Sequence, residues 1–182
     1  MKRPDECPVC GSSNINCRGV QNADIYAIEC HRCGSFKISE EAAHDLTRAF
    51  STDRQRANAS GWVSENNGIL IRLAEIDSLL ALPTPGVAER ADKLLLAVER
   101  RQKGIGGALA VRYDGTRDSA GWLSASWSTD GHEVRYLAEI EKIAMLYGHR
   151  LRASMPETQK VAALRTLHGL KPDAREAYVR QL

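Results

Sequence analysis

The pattern of apolar and polar positions divides the first half of the chain into two strand-like stretches followed by helices. The stretches ADIYAIEC and SFKIS alternate apolar and polar residues, which predicts two short strands. Ser39 then caps a predicted helix over EEAAHDLTRAF, and Thr52 caps a second helix over DRQRANASGWVSENN that Gly68 closes. The apolar segment ILIRLAEIDSLLAL predicts either a strand or a helix, and the breaker cluster PTPG stops it.

The second half predicts alternating helices and strands. VAERADKLLLAVERRQK has a helical apolar stripe, whereas ALAVRY and GWLSASW resemble two short strands joined by a turn. Ser128 or Thr129 begins a long helix whose apolar face is Val134, Leu137, Ile140, Ile143 and either Leu146 or Tyr147. After Gly148, HRLRAS is extended, and PETQKVAALRTL and PDAREAYVRQL are helical. This order predicts a winged-helix-like domain.

These elements predict an α+β protein with three parts. Residues 1–39 form a ribbon of short strands, residues 40–84 form a helical connector, and residues 85–182 form the winged-helix-like domain. The cluster of proline and glycine at positions 83–86 marks the boundary before the last part, because such residues interrupt regular structure.

Four cysteines are spaced as metal ligands. Cys7, Cys10, Cys30 and Cys33 follow the pattern C-x2-C-x19-C-x2-C, and a glycine follows each pair. Two intervening residues let both sulfur atoms of a pair face one point, and the glycine permits the turn that follows. Four thiolates favour zinc and leave no open coordination position, so we expect one structural Zn²⁺ in a zinc ribbon.

Two nearby residues are not expected to be ligands. Cys17 lacks a partner at the spacing of a cysteine pair, which predicts an ordinary thiol. His31 lies between Cys30 and Cys33, but with four cysteines present we expect it on the surface.

Composition and charge restrict the environment and the partners. Hydrophobic residues make up 43% of the chain and charged residues 26%, a normal globular balance. No apolar run is long enough to span a membrane, and the charged start contains no secretory signal, so we expect a cytoplasmic protein that does not bind membranes. The net charge is only +2, but the positive excess lies after residue 100, where we expect any polyanion-binding surface.

Several segments resemble a known group of proteins. CPVCGSSN, YAIECHRCGSFKIS and ASGWVSENN resemble the amino-terminal module of prokaryotic defence-associated proteins, in which a zinc ribbon precedes a helical segment with an S-G-W-x-x-E-N-N-like signature. The stretches ADKLLLAV and EVRYLAEIEKIAMLYG resemble the winged-helix-like unit that comes next. Larger members continue into an effector domain of the TIR or nucleoside deoxyribosyltransferase-like type. The resemblance implies that this chain holds the sensing or docking half without the effector.

Candidate catalytic residues do not form a recognisable set. GIGG at positions 104–107 lacks the lysine and serine of a phosphate-binding loop. His132 with Glu133 has the chemistry of a general base, and Asp114, Asp118 and Asp130 that of a cation site, yet helix-start and turn positions explain them better. His44, His149 and His168 lie in different elements without a nearby nucleophile. Whether the chain is an enzyme stays open, with a non-enzymatic role favoured.

A basic surface is expected on the last part of the chain. Arg135 and Lys142 are two helical turns apart on the long helix, and Arg150 and Arg152 alternate on the following extended segment, so the four define one candidate surface for phosphates. Pairing with Glu139 and Glu141 is the alternative for these cations. Trp122 and Trp127, on one predicted strand, face opposite sides, so either both serve the core or one stacks on a base.

The leading hypothesis is a non-enzymatic zinc-binding protein. It binds nucleic acid or docks into a larger prokaryotic defence or nucleoprotein complex, for example as a subunit of an RNA-guided assembly. Two alternatives stay open: a component of a nucleotide-processing enzyme whose catalytic part lies on another chain, and a pure protein–protein adaptor.

Overall fold

The structure is a computed structural model, which describes residues 3–13, 15–101, 117–147, 157–171, 174, 175 and 178. Its strands are β1 (Ile15–Gly19), β2 (Ile25–Cys30), β3 (Gly34–Ser39) and β4 (Leu70–Ile71). Its helices are α1 (Glu40–Ala49), α2 (Asp53–Glu65), α3 (Ile76–Leu80), α4 (Val87–Arg101), α5 (Arg117–Ala125), α6 (Gly131–Tyr147) and α7 (Glu157–Gly169), and a 3-10 turn spans Leu73–Glu75. The α+β class expected from the sequence is therefore confirmed.

The four strands form one sheet in the order β1-β2-β3-β4. β1 pairs with β2 and β2 with β3 in antiparallel fashion, whereas β4 joins β3 in parallel. Alternate residues of β2 and β3 are buried, among them Ile28, Phe36 and Ile38. This alternation is what the sequence pattern predicted, because successive strand residues point to opposite faces of a sheet.

Helices α1 and α2 begin at the residues predicted from the sequence. The Ser39 hydroxyl accepts a hydrogen bond from the Ala42 N–H at 3.3 Å, and the Thr52 hydroxyl accepts one from the Gln55 N–H at 3.2 Å. Each side chain satisfies a backbone donor that the first helical turn would leave unpaired. The segment after Gly68 contains both predicted alternatives, a two-residue strand followed by the short helix α3.

One hydrophobic core joins the sheet to α1, α2 and α3. Its fully buried side chains include Val9, Leu46, Val63 and Ile71. Cys7 belongs to the same core and Cys10 packs against it, on either side of Val9, so the first cysteine pair is part of this core.

A second core lies between α4, α5 and α6, around Leu94, Trp122, Val134 and Leu137. The prediction of a strand over GWLSASW was wrong, because residues 117–125 form α5. Trp122 is therefore helical and Trp127 lies in the turn after the helix, so they do not face opposite sides of a strand, and both are buried. Strand propensity failed here because packing against α2 and α4 fixes the segment as a helix.

Helix α6 begins at a different residue from the one expected. The Asp130 carboxylate accepts a hydrogen bond from the Glu133 N–H at 2.9 Å, so Asp130, rather than Ser128 or Thr129, caps the helix. The second predicted strand, ALAVRY, and the extended segment HRLRAS lie outside the described residues. Within the described ranges, no helix has the length and apolar character needed to cross a membrane.

Candidate metal centre

The two cysteine pairs lie in tight turns at the end of the sheet. The backbone N–H of Gly11 donates to the carbonyl of Cys7 at 2.8 Å, closing the first turn. Gly11 and Gly34 have φ angles of 75° and 77°, in the left-handed region that residues with a Cβ rarely adopt. The glycine after each pair is therefore required by the backbone, as the sequence predicted.

The four cysteine sulfur atoms lie within 4.8 Å of one another. The Sγ atoms of Cys7 and Cys33 are 3.8 Å apart and those of Cys10 and Cys30 are 3.6 Å apart, and no disulfide joins any of the four cysteines. A disulfide requires about 2.05 Å. A tetrahedron with Zn–S bonds of about 2.3 Å has edges of about 3.8 Å between its sulfur atoms. The two short separations therefore match the edges of such a site, and the four sulfur atoms together could hold a metal ion.

The electrostatics of the cluster favour a bound cation. Hydrogen bonds from Cys30 and Cys33 lower the pKa of Cys10, whereas burial raises the pKa of Cys33. Hydrogen bonding to Cys10 raises the pKa of Cys7. Without a counter-charge, four thiolates at contact distance repel one another, so only part of the cluster can ionise. A divalent cation removes this conflict and stabilises all four thiolates together.

Two serines contact the sulfur atoms from outside the cluster. Ser12 Oγ is 3.1 Å from Cys10 Sγ, and Ser60 Oγ is 3.3 Å from Cys33 Sγ. Ser60 is completely buried on α2, so it ties the second cysteine pair to that helix. When the sulfur is a metal-bound thiolate, the hydroxyl is the natural donor to it, which fixes the direction of the ligand.

The remaining candidates near the cluster lie where the sequence placed them. Cys17 is on β1, opposite Ile28, and is not among the four clustered residues. His31 is exposed.

The four basic candidates are only partly described. Arg135 is exposed on α6, and within the described chain it has no ion pair with Glu139. Lys142 lies further along α6, where side-chain surroundings are not described, and Arg150 and Arg152 lie outside the described residues. Whether the four form one surface stays a prediction.

Glu133 is engaged in an ion-pair cluster and is not placed to act as a base. Its carboxylate contacts Arg54 and Arg90, the latter at 2.9 Å, and accepts hydrogen bonds from the N–H and hydroxyl of Thr129 at 2.8 and 3.0 Å. Burial alone would raise its pKa, but the bonds from Arg90, Thr129 and Arg54 outweigh burial and lower the pKa to about 2. The neighbouring His132 is exposed.

The other catalytic candidates are dispersed or undescribed. His44 is exposed on α1 and bonds only its neighbour Asp45 among the described residues, with 3.2 Å between Nδ1 and Oδ1. Asp114 and His149 lie outside the described residues, as does the GIGG segment, and nothing is described of the side chains of Asp118 and His168.

Sequence reasoning missed the contacts that join the cysteine cluster to the helices after residue 86. Arg32, between Cys30 and Cys33, donates from Nη2 to the carbonyl of Ser128 at 2.8 Å. Arg90 is almost fully buried and donates from Nε to the carbonyl of Ser126 at 2.9 Å. The sequence did contain a signal for the contacts of Arg90: it lies within the apolar stripe of α4, three residues after Val87. A buried arginine requires polar partners, so its position indicated that such partners exist.

The stretch Ser60–Asn67 makes several of these contacts. The Trp127 ring packs against Gly61, and its Nε1 donates to Glu65 Oε1 at 2.8 Å. Asn67 Oδ1 accepts a hydrogen bond from the backbone N–H of Ser35 at 3.0 Å. The stretch therefore contacts both the ribbon and the turn between α5 and α6.

Comparison of the chain with protein-family models, with curated proteins and with solved structures finds no match in any of the three. Fold and site define the class of protein: an α+β chain whose amino-terminal four-cysteine cluster could hold a metal ion.

Proposed function

We propose that this chain is a zinc-binding protein in which one structural Zn²⁺ organises a ribbon. The observation that carries the proposal is the cluster of four cysteine sulfur atoms, from three buried residues and one half-buried residue, in which two separations are close to the edge of a tetrahedral zinc site. Cys7, Cys10, Cys30 and Cys33 would hold the ion, which would supply folding energy rather than catalysis because all four positions are taken by sulfur.

We further propose that the helices after residue 86 form a winged-helix-like unit that binds nucleic acid. Three helices share one core, and α5 and α6 are separated by a turn of only five residues, 126–130. Arg135 is exposed on α6 and available to a phosphate. Lys142, Arg150 and Arg152 would complete the contact surface. The resemblance to defence-associated modules makes a defence or nucleoprotein complex the setting that we propose.

Salt-dependent binding of oligonucleotides tests the nucleic-acid proposal. Changing Arg135, Lys142, Arg150 and Arg152 together to glutamine should weaken binding to single-stranded and duplex oligonucleotides alike, and should flatten the dependence of the binding constant on salt concentration, because fewer counterions are released. The matched control changes four exposed cations elsewhere, Arg18, Lys37, Arg48 and Arg72, to glutamine. Equal loss in both variants would point to net charge alone, and a folded quadruple variant that binds as tightly as the parent would refute the surface.

A protein-docking role has one specific observation in its favour. Leu95 and Leu96 are 44% and 48% exposed on α4, adjacent to each other. Contiguous exposed apolar surface marks sites of protein contact. If the parent chain binds no oligonucleotide at low salt, the adaptor function becomes the better proposal.

A further inference from the structure

Trp127 has an unusual backbone conformation at the end of α5. Its φ angle is 50°, in the left-handed region. Its N–H donates to the carbonyl of Ser124 at 3.0 Å, and the N–H of Ser128 donates to the carbonyl of Leu123 at 2.8 Å. This pair of bonds is a Schellman motif, whose left-handed position is usually glycine. A tryptophan there is strained and persists only where its surroundings fix it.

Contacts with α2 and α4 hold Trp127 in this conformation. Its ring lies against Gly61, where a Cβ would come within 2.4 Å of ring atoms. Its carbonyl accepts a hydrogen bond from Arg54 Nη1 at 3.1 Å, and Lys93 Nζ lies 5.3 Å from the ring centroid.

The second cysteine pair reaches the same turn by two routes. Arg32 donates to the carbonyl of Ser128, the residue next to Trp127. Cys33 contacts Ser60, which immediately precedes Gly61 on α2. The ends of both routes are buried: Ser60 and Ser128 are completely inaccessible to solvent. A shift of this cysteine pair therefore displaces the carbonyl group of Ser128 and the part of α2 that supports the Trp127 ring.

We propose that metal binding fixes the conformation of the turn between α5 and α6, residues 126–130. We call this coupling between the metal site and the turn the latch. The proposal rests on the metal function proposed above. Metal fixes the Cys30–Cys33 loop. The fixed loop keeps Arg32 bonded to the carbonyl of Ser128, and through Cys33 it keeps Ser60 and the neighbouring Gly61 in place beneath the indole ring. Loss of metal frees that loop, and the strained backbone at Trp127 relaxes toward a more common conformation. The start of α6 moves with it, because Glu133, in the first turn of α6, is bound by Arg54 and Arg90 at the same junction.

Amide hydrogen exchange of the whole chain tests the latch. In metal-loaded Arg32→Ala protein, the N–H groups of Trp127 and Ser128 should exchange about tenfold faster or more than in the parent, while those of α1 stay unchanged. The control is Arg18→Ala, an exposed arginine on β1. Metal content is measured on the same samples. An Arg32→Ala protein that keeps its metal and the parental exchange rates at these two amides would overturn the latch.

Removal of metal with a chelator gives the second measurement. Faster exchange in the turn with α4 still protected supports the latch. Retained protection in the turn, or loss of protection in the turn and α4 together, overturns it, since the latter shows that metal holds the whole fold. A parent protein that is well folded as purified, before any chelator is added, and that contains no metal instead refutes the zinc proposal itself, so the two failures are distinguishable.

Discussion

Gly61 on α2 lies directly beneath the indole ring of Trp127, 66 positions away in the sequence. A Cβ on residue 61 would be 2.4 Å from two ring carbon atoms, closer than any van der Waals contact allows. The Trp127 Nε1 donates to Glu65 one helical turn further along, so the ring spans this face of α2. This contact joins the sheet-bearing half of the molecule to the α5–α6 turn.

Gly61→Ala is predicted to destabilise the protein despite the better helix propensity of alanine. Overpacking against a rigid indole should lower the free energy of unfolding by about 1–3 kcal/mol. Gly86→Ala is the matched control, because a Cβ at Gly86 meets nothing within 4 Å. Urea denaturation measures both variants, and an unchanged or raised midpoint for Gly61→Ala would show that α2 and the turn separate at little cost.

Replacement of a clustered cysteine is predicted to abolish metal binding, whereas replacement of Cys17 is not. Cys30→Ser should reduce the metal content from one ion per chain to near zero and unfold the ribbon, because metal binding supplies its folding energy. Cys17→Ser should keep one ion. Elemental analysis and circular dichroism measure the two effects. Metal loss in Cys17→Ser, or a well-folded metal-free parent, would contradict this prediction.

Glu133 is predicted to make the free energy of unfolding depend on pH between about 2 and 4.5. Its pKa of about 2 in the folded protein lies below its ordinary value of 4.5, so its contribution is complete above pH 4.5 and is lost as the pH falls toward 2. Glu133→Gln should cost about 1–3 kcal/mol at pH 7, less than breaking a fully buried pair, and should flatten this part of the stability curve. Glu41→Gln, an exposed residue of α1, is the control. Urea denaturation between pH 2 and 7 measures the curves, and parallel curves for parent and Glu133→Gln would contradict the assignment.

Asn58 is predicted to protect the segment before α4 from proteolysis. It is 3% exposed, and its Nδ2 donates to the carbonyl of Leu82 and the hydroxyl of Thr84, both at 3.0 Å. Asn58→Ala should accelerate limited proteolysis at residues 83–86 and lower stability by about 1–3 kcal/mol. Ser64→Ala, on the same helix, should leave cleavage unchanged. Equal cleavage rates for all three proteins would mean that the segment is held by other contacts.

The cysteine cluster and the caps of α1 and α2 could be predicted from the sequence because their causes are local. Two residues between cysteines and a glycine after them fix the geometry of a pair, and Ser39 or Thr52 satisfies a backbone donor only three residues away. Alternation along β2 and β3 identified these two strands for the same reason, since a strand repeats every two residues.

Tertiary structure alone decided α5 and the junction that follows it. GWLSASW has the composition of a strand, but Trp122 belongs to a core shared with α4 and α6, and helical spacing brings it there. The left-handed conformation of Trp127 depends on Gly61 and Arg54, and the burial of Arg90 depends on Glu133, each distant in sequence. Such contacts offset backbone strain and the desolvation of a buried charge only when both partners are in place in the folded protein. A local sequence pattern therefore cannot indicate them.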